Sequence, residues 1–224
     1  MSEVRTILLN RSAYADNDEE ANALRDYLKD HKCFVVNLMS SPGAGKTTTL
    51  IKLINALKSE LRIGVMEADI DSEVDAINVA KETGVKSIQL HTGGMCHLDA
   101  GMTKSGLDAI DIGDLDLIFL ENVGNLVCPA EFDTGASMDM VILSIPEGDD
   151  KALKYPLVFS KSELVLINKI DALPYFNFDM EVAEGYIKER NPNATIIKIS
   201  AKTGENINLV KDYFVNRIKS WRTK

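Results

Sequence analysis

The chain has 224 residues and a mass of 24.7 kDa, and at 45% hydrophobic and 26% charged it can bury a sizeable core, which excludes fibrous, collagen-like and low-complexity classes. Thirty-four acidic residues against 25 basic ones give a net charge of −9, which repels nucleic acid and anionic membrane alike, so neither is expected as a partner and any bound phosphate must be held locally. Three cysteines, an odd number, and an opening without a basic and then apolar leader set the expectation of a reduced, cytoplasmic protein, and no apolar run reaches the roughly 18 residues of a membrane span.

Along the chain, Ala21, Leu24 and Leu28 recur at helical spacing within a polar, acidic opening, which predicts an amphipathic helix in residues 1–32 packed as an extension on one domain over 1–224. Strands are expected over Cys33 to Leu38, Ile63 to Glu67, Val85 to Leu90, Leu115 to Leu120, Met138 to Ile145, Leu164 to Asn168 and Thr195 to Ser200. Between the first two lies the helical pattern Leu50, Ile51, Leu53, Ile54, Leu57, Leu61, and a closing helix is marked by Ile207, Val210, Phe214, Ile218 and Trp221. Apolar runs such as Val165-Leu166-Ile167 suit strands covered on both faces. The fold class is therefore α/β, three-layered, with a mostly parallel sheet and helices on both sides.

Directly after the first strand comes Ser40-Ser41-Pro42-Gly43-Ala44-Gly45-Lys46-Thr47-Thr48, running into a helix. This is the context a P-loop requires: backbone N–H groups around Gly43, Ala44 and Gly45 cradle phosphate, with the positive end of the helix dipole behind them. Lys46 reaches the β- and γ-phosphates, and Thr47 places its hydroxyl on Mg²⁺, with Thr48 following in the same turn. Ser40 stands where the general pattern has its first glycine.

Asn168-Lys169-Ile170-Asp171, at the end of another strand, resembles the NKxD guanine-recognition motif. The Asp171 carboxylate can accept from both N1–H and the exocyclic amine of guanine, two donors that adenine does not present. Asn168 orients the loop and Lys169 lies along the base. Ser200-Ala201-Lys202 resembles the element that contacts the base from its far side, so GTP is the expected nucleotide. The segment Glu121-Asn122-Val123-Gly124 occupies the place of the γ-phosphate switch, with Glu121 near Mg²⁺ and the Gly124 N–H near the γ-phosphate. Asp69, after the second strand, matches the acid of the SIMIBI branch of P-loop GTPases, or else is a plain helix N-cap; Asp71 and Asp75 are further switch candidates. Lys46, Asp69 and Glu121 are thus the expected catalytic residues. No Gln or Arg is identifiable as positioning the attacking water, so slow hydrolysis, on the order of 10⁻² per second or less, is expected.

Cys96-His97 and Cys128 are borderline-soft donors suited to Ni²⁺ or Zn²⁺. Three ligands are one short of a closed tetrahedral site, so the set is either open or doubled by a symmetry mate; alternatively each cysteine is a small buried hydrophobe. Cys128 lies four residues past Gly124, where a metal could be gripped or released as the nucleotide changes. Cys33 reads as simply buried, and Lys151 and Lys154 as a solvated charged face.

From Val35 to the C-terminus, the segments Ser41 to Thr47, Gly94-Met95-Cys96-His97-Leu98, Glu121 to Pro129 and Asn168 to Asp171 together resemble the HypB family of hydrogenase nickel-incorporation GTPases. The resemblance implies a GTPase that dimerises in its GTP state and holds Ni²⁺ or Zn²⁺ near the dimer interface through Cys96, His97 and Cys128. It further implies work with a HypA-like metallochaperone and nickel delivery to the [NiFe]-hydrogenase large subunit. The family's N-terminal CxxCGC motif and His-rich stretch are both missing, since the first 30 residues contain no cysteine and the chain only three histidines. Competing readings are a urease-type nickel GTPase, whose Cys-Pro-His motif is matched here only by Cys96-His97, a cobalamin-enzyme G-protein chaperone, a GTP-dependent interaction switch with structural cysteines, and an ATP-using kinase, which Asp171 opposes.

Overall fold

A computed structural model describes residues 10–69 and 74–223 of the chain. The described residues hold a seven-stranded sheet, wholly parallel rather than mostly so, in the order β3-β2-β4-β1-β5-β6-β7. Its strands are β1 Phe34–Ser40, β2 Ile63–Asp69, β3 Lys86–His91, β4 Leu117–Glu121, β5 Met138–Ser144, β6 Leu164–Asn168 and β7 Thr195–Lys198. The main helices are α1 Asn10–Asp30, α2 Lys46–Leu57, α3 Val74–Thr83, α4 Ala100–Ile110, the short α5 Cys128–Glu131, α6 Lys151–Lys154 and α7 Pro156–Lys161, then α8 Met180–Arg190 and α9 Ile207–Arg222.

Every strand expected from the sequence is present, with shifted ends that have local causes. Lys32 turns left-handed (φ 54°) and the Cys33 N–H closes helix α1 on the Leu28 carbonyl, so Cys33 caps the helix and pairing starts at Phe34. A 3₁₀ turn over Ile112–Asp114 takes Leu115 out of β4. Helix α2 stops at Leu57, and Leu61 packs beside it from a turn. Strand β2 runs on to Asp69, where it pairs with His91, and Ser200 lies beyond β7 in a turn bridged to Glu205.

One face of the sheet is covered by α2, α3 and α9, with Leu50, Leu53, Ile54, Val79, Val210 and Phe214 fully buried against Phe34, Val36 and Phe119. The other face is covered by α1 and α4 at one end and by α7 and α8 at the other. Ala21, Leu24 and Leu28 are the buried stripe of α1, as their spacing predicts. Fully burying a Leu or Phe side chain contributes on the order of 1.5–3 kcal/mol, so these two layers dominate stability. Because all strands run the same way, their carboxyl ends gather at one edge, and β1, flanked by β4 and β5, delivers the P-loop to the middle of it. No helix among the described residues is long and apolar enough to cross a membrane.

Candidate functional site

The P-loop leaves β1 at Ser40 and enters α2 at Lys46, with Gly43 (φ +75°) and Gly45 (φ +96°) in left-handed conformations. At Gly45 the glycine is required twice, for its φ and because a Cβ there would stand 2.6 Å from Asn168 Nδ2. Asn168 is the hub of the site. Its Nδ2 donates to the Ala44 carbonyl (2.9 Å) and towards Thr49 Oγ1 (3.4 Å), while its Oδ1 accepts from the backbone N–H of Lys169 (2.8 Å) and Ala201 (3.0 Å). One buried amide thus locks together the phosphate loop, the guanine loop and the Ser200-Ala201-Lys202 turn. Lys169, itself left-handed (φ 64°), donates its Nζ to the Gly43 carbonyl at 2.6 Å, so its stem lies across the P-loop.

On the side where the sequence leads one to expect guanine is a cavity of about 280 Å³ lined by Gly45, Thr48, Asn168, Lys169, Asp171 and Lys202, with Ala172 and Ala201. Asp171 is the second residue of the 3₁₀ turn Ile170–Tyr175, and Ser200 Oγ donates to its Oδ1 at 2.6 Å, which aims the carboxylate. Ser200 therefore acts through Asp171, a part the sequence did not assign to it.

The phosphate side is a cavity of about 350 Å³ bounded by Pro42, Gly43 and Lys46 and by an acidic wall of Glu67, Asp69, Asp75 and Glu121. Lys46 Nζ lies 3.8 Å from Glu121 Oε1. Glu67 was not anticipated. It is 3% exposed and within hydrogen-bonding reach of the equally buried Glu121, and both carboxyls are held above the ordinary range. Burial is the main cause for each; the neighbouring Glu121 adds to the rise at Glu67, whereas Lys46 pulls Glu121 back. The signal for Glu67 was present in the sequence as one charge inside the apolar run Ile63-Gly64-Val65-Met66-Glu67-Ala68, which a strand covered on both faces must pair or use.

Glu67 Oε1 and Glu121 Oε2 are buried without hydrogen-bond partners. With Asp69 at the end of β2, these oxygens make a hard carboxyl donor set, whose ionised form a small divalent cation would favour against the neutral form that burial favours. Among the described residues no three His, Cys, Asp or Glu side chains converge closely enough to hold a metal by themselves. An ion such as Mg²⁺ would draw the rest of its shell from phosphate oxygens and water, and Cys96, His97 and Cys128 do not make such a three-residue group either. Thr47 is half-buried at the first turn of α2, Thr48 is exposed, and Asp71 lies outside the described residues.

The switch segment leaves β4 at Glu121. Asn122 Nδ2 donates to Asn37 Oδ1 (3.0 Å), and Asn37 Nδ2 donates to Asp139 Oδ1 (2.8 Å), a buried polar chain across β1 to β5. Gly124 sits against Pro42 and Lys46. A cavity of about 320 Å³ joins Ser41, Pro42 and Gly124 to Val127, Tyr155 and Cys96. Cys96 and Cys128, both half-buried and free, lie near each other, and the neighbouring Cys128 thiol is the leading cause that raises the Cys96 thiol above its usual value. His97 Nδ1 is 3.9 Å from Cys96 Sγ, but its ring stacks flat on Phe132 at 3.8 Å between centroids. Two thiols thus meet, with the imidazole beside them and turned onto an aromatic ring. Cys33 is buried and its thiol is pushed up to about 12, chiefly by burial, as a packing residue's should be. Lys151 departs from the expected solvated face: it pairs with Glu147 at 3.4 Å and lies over the Tyr155 ring, while Lys154 pairs with Asp150 in the open.

Residues 34–198 match the family model described as CobW/HypB/UreG, nucleotide-binding domain. The hydrogenase maturation factor HypB of Azotobacter chroococcum is 41% identical over 207 residues, which is 92% of this chain and 68% of that protein. The crystal structure of HypB from Helicobacter pylori in complex with nickel superposes with a TM-score of 0.86 at 35% identity, covering 92% of this chain and 96% of that one. The signal recognition particle receptor FtsY of Elizabethkingia anophelis, bound to GDP, shares the fold with a TM-score of 0.54 at 16% identity, covering 85% of this chain and 70% of that one.

Proposed function

This chain belongs to the HypB family within the CobW/HypB/UreG nucleotide-binding proteins, and on that premise we propose that it is a GTP-hydrolysing nickel metallochaperone serving [NiFe]-hydrogenase maturation. The observation that carries the reading is the shared cavity in which P-loop residue Pro42, switch residue Gly124 and metal-type donor Cys96 meet, with Cys128 against Cys96. Nucleotide state and thiol geometry are then read by one short segment, Glu121 to Cys128.

The base is selected by Asp171, which Ser200 and the Asn168 hub hold in place to accept the two guanine donors. The phosphates lie along Gly43, Ala44 and Gly45 with Lys46 on the β,γ side, where the dipole of α2 adds its partial charge. Thr47, Asp69 and Glu121 would hold Mg²⁺, with Glu67 beside Glu121 on the neighbouring strand; when bound, the ion would neutralise phosphate charge. Gly124 senses the γ-phosphate through its N–H. Gln89 lines the phosphate cavity, but no sequence motif marks it, or any Arg, as positioning the attacking water, so hydrolysis is slow, as suits a timed switch.

The cargo is Ni²⁺, with Zn²⁺ able to take the same donors Cys96, His97 and Cys128. Two thiols and one imidazole leave a coordination position open, so a second copy of the chain in a GTP-bound homodimer, or a HypA-like partner, completes or empties the site before nickel reaches the hydrogenase large subunit. The test is Ni²⁺ and Zn²⁺ titration in parallel with GDP and a non-hydrolysable GTP analogue, with mass followed by light scattering. A dimeric GTP state with changed metal affinity is the expected result. Metal binding indifferent to Cys96→Ala and Cys128→Ala would overturn the proposal in favour of a switch with structural cysteines.

A further inference from the structure

The two cysteine-bearing segments are not free loops. Residues 96–100 run into α4, and residues 128–136 run from α5 towards β5; both are bolted to the same face of α1. Asn17 of α1 is 8% exposed and bound at both ends of its amide: Nδ2 donates to the Asp133 carbonyl (3.0 Å), and Oδ1 accepts from the Ala100 N–H (3.0 Å). Two turns further on, Arg25 forks between two partners: Nη2 donates to both oxygens of the Asp133 carboxylate at 2.5 and 2.6 Å, and Nε donates to the Ala136 carbonyl at 3.2 Å. Gly135 between them has φ +71°, and a Cβ there would lie 2.8 Å from Leu24 Cδ2 and 3.2 Å from the Ala21 carbonyl, so the segment rests directly on the helix. Across the gap, the segments touch through the His97–Phe132 stack, 3.8 Å between ring centroids, which brings Cys96 and Cys128 near each other.

A buried amide that spans three chain segments is worth keeping only if both of its ends are satisfied, because each unmet donor or acceptor costs free energy. Asn offers both donor and acceptor on a short stem, and the Arg fork fixes direction as well as distance. We propose that Asn17 and Arg25 are positioning residues for the thiol pair: α1 sets the separation of Cys96 and Cys128, and its seating decides whether they grip a metal together. The inference rests on the assignment of those thiols to nickel or zinc and adds to it residues that contribute no ligand.

The test uses the full chain with Asn17→Leu, nearly isosteric and without hydrogen bonds, and with Arg25→Lys, which keeps the charge and loses the fork. Two readouts are taken: affinity for Zn²⁺ alone and Ni²⁺ alone by chelator competition, and the rate of Cys96–Cys128 disulfide formation driven by diamide in metal-free protein, with far-UV circular dichroism confirming the fold. Support groups around metal ligands are typically worth 10–100-fold in affinity, so a loss of about that size is expected for Asn17→Leu, a smaller one for Arg25→Lys, and slower disulfide formation in both. If Asn17→Leu is misfolded, Arg25→Lys alone decides. Variants that keep wild-type affinity and oxidation rate overturn the inference, as does lost affinity with an unchanged oxidation rate. Wild-type metal binding that survives Cys96→Ala and Cys128→Ala refutes the metal assignment instead, and the oxidation rates still show whether α1 sets the thiol spacing.

Discussion

Replacing Asn168 with Ala is the sharpest perturbation of the nucleotide site. The side chain is 1% exposed, and its removal strands the Ala44 carbonyl and the Lys169 and Ala201 N–H groups, now bound at 2.9, 2.8 and 3.0 Å. Ala44 and Ala201 are buried, so their groups cannot turn to bulk water, whereas the half-buried Lys169 N–H can do so in part. At about 1–3 kcal/mol for each of the two fully stranded groups and part of that for the Lys169 N–H, the loss is about 2–7 kcal/mol, a large share of the 5–15 kcal/mol of a typical domain. Urea unfolding monitored by circular dichroism measures it. Because the three loops are released together, affinity for GDP should fall by more than 100-fold, while Asn168→Asp, which keeps the acceptor and loses the donor, should lie between the two. An Asn168→Ala protein within 1 kcal/mol of wild type would refute the hub argument, since water would then satisfy every stranded group.

Half-buried Asp139 lines a cavity of about 250 Å³ with Lys161 and Asp133, and burial pushes its carboxyl up to about 6, with the Asn37 bond pulling it part of the way back. A raised carboxyl contributes stability in full below its ordinary pH range near 4 and loses it as pH rises through about 6, so Asp139→Asn should be more stable than wild type at pH 7.5, by about 1–2 kcal/mol once the partial exposure of the group is discounted, and no more stable at pH 3.5. Asp116 behaves oppositely: the Arg62 guanidinium and backbone N–H, with Arg222, hold its carboxyl well below the usual range, so its contribution is present above about pH 4 and fades on further acidification, and thermal melts of Asp116→Asn should show the deficit only at neutral pH. Asp171→Asn should lose GTP affinity by at least about 100-fold and gain affinity for xanthosine nucleotides, whose C2 carbonyl accepts from the new amide; unchanged base preference in competition binding would contradict the assigned role of Asp171. Gly45→Ala should abolish nucleotide binding, because its Cβ would meet Asn168 Nδ2 at 2.6 Å in a backbone conformation alanine avoids.

Much of this molecule was determined by short-range chemistry and was legible in the residues alone. Apolar runs bounded by turn residues placed all seven strands, and Gly-Ala-Gly-Lys-Thr after the first of them placed the phosphate loop, because a helix N-terminus with exposed N–H groups is a local property. Family membership was legible for the same reason, in the ordered segments from Ser41 to Asp171. What only tertiary structure decided were contacts between residues far apart in the chain. Asn168 reaching Ala44, Ser200 aiming Asp171, Glu67 lying against Glu121 and Asn17 tying Asp133 to Ala100 each join segments separated by 29 or more residues. No periodicity reports such pairs, since a polar side chain's partner is fixed by which strands become neighbours. The strand order β3-β2-β4-β1-β5-β6-β7 is a global choice, made by burying the most apolar surface at once.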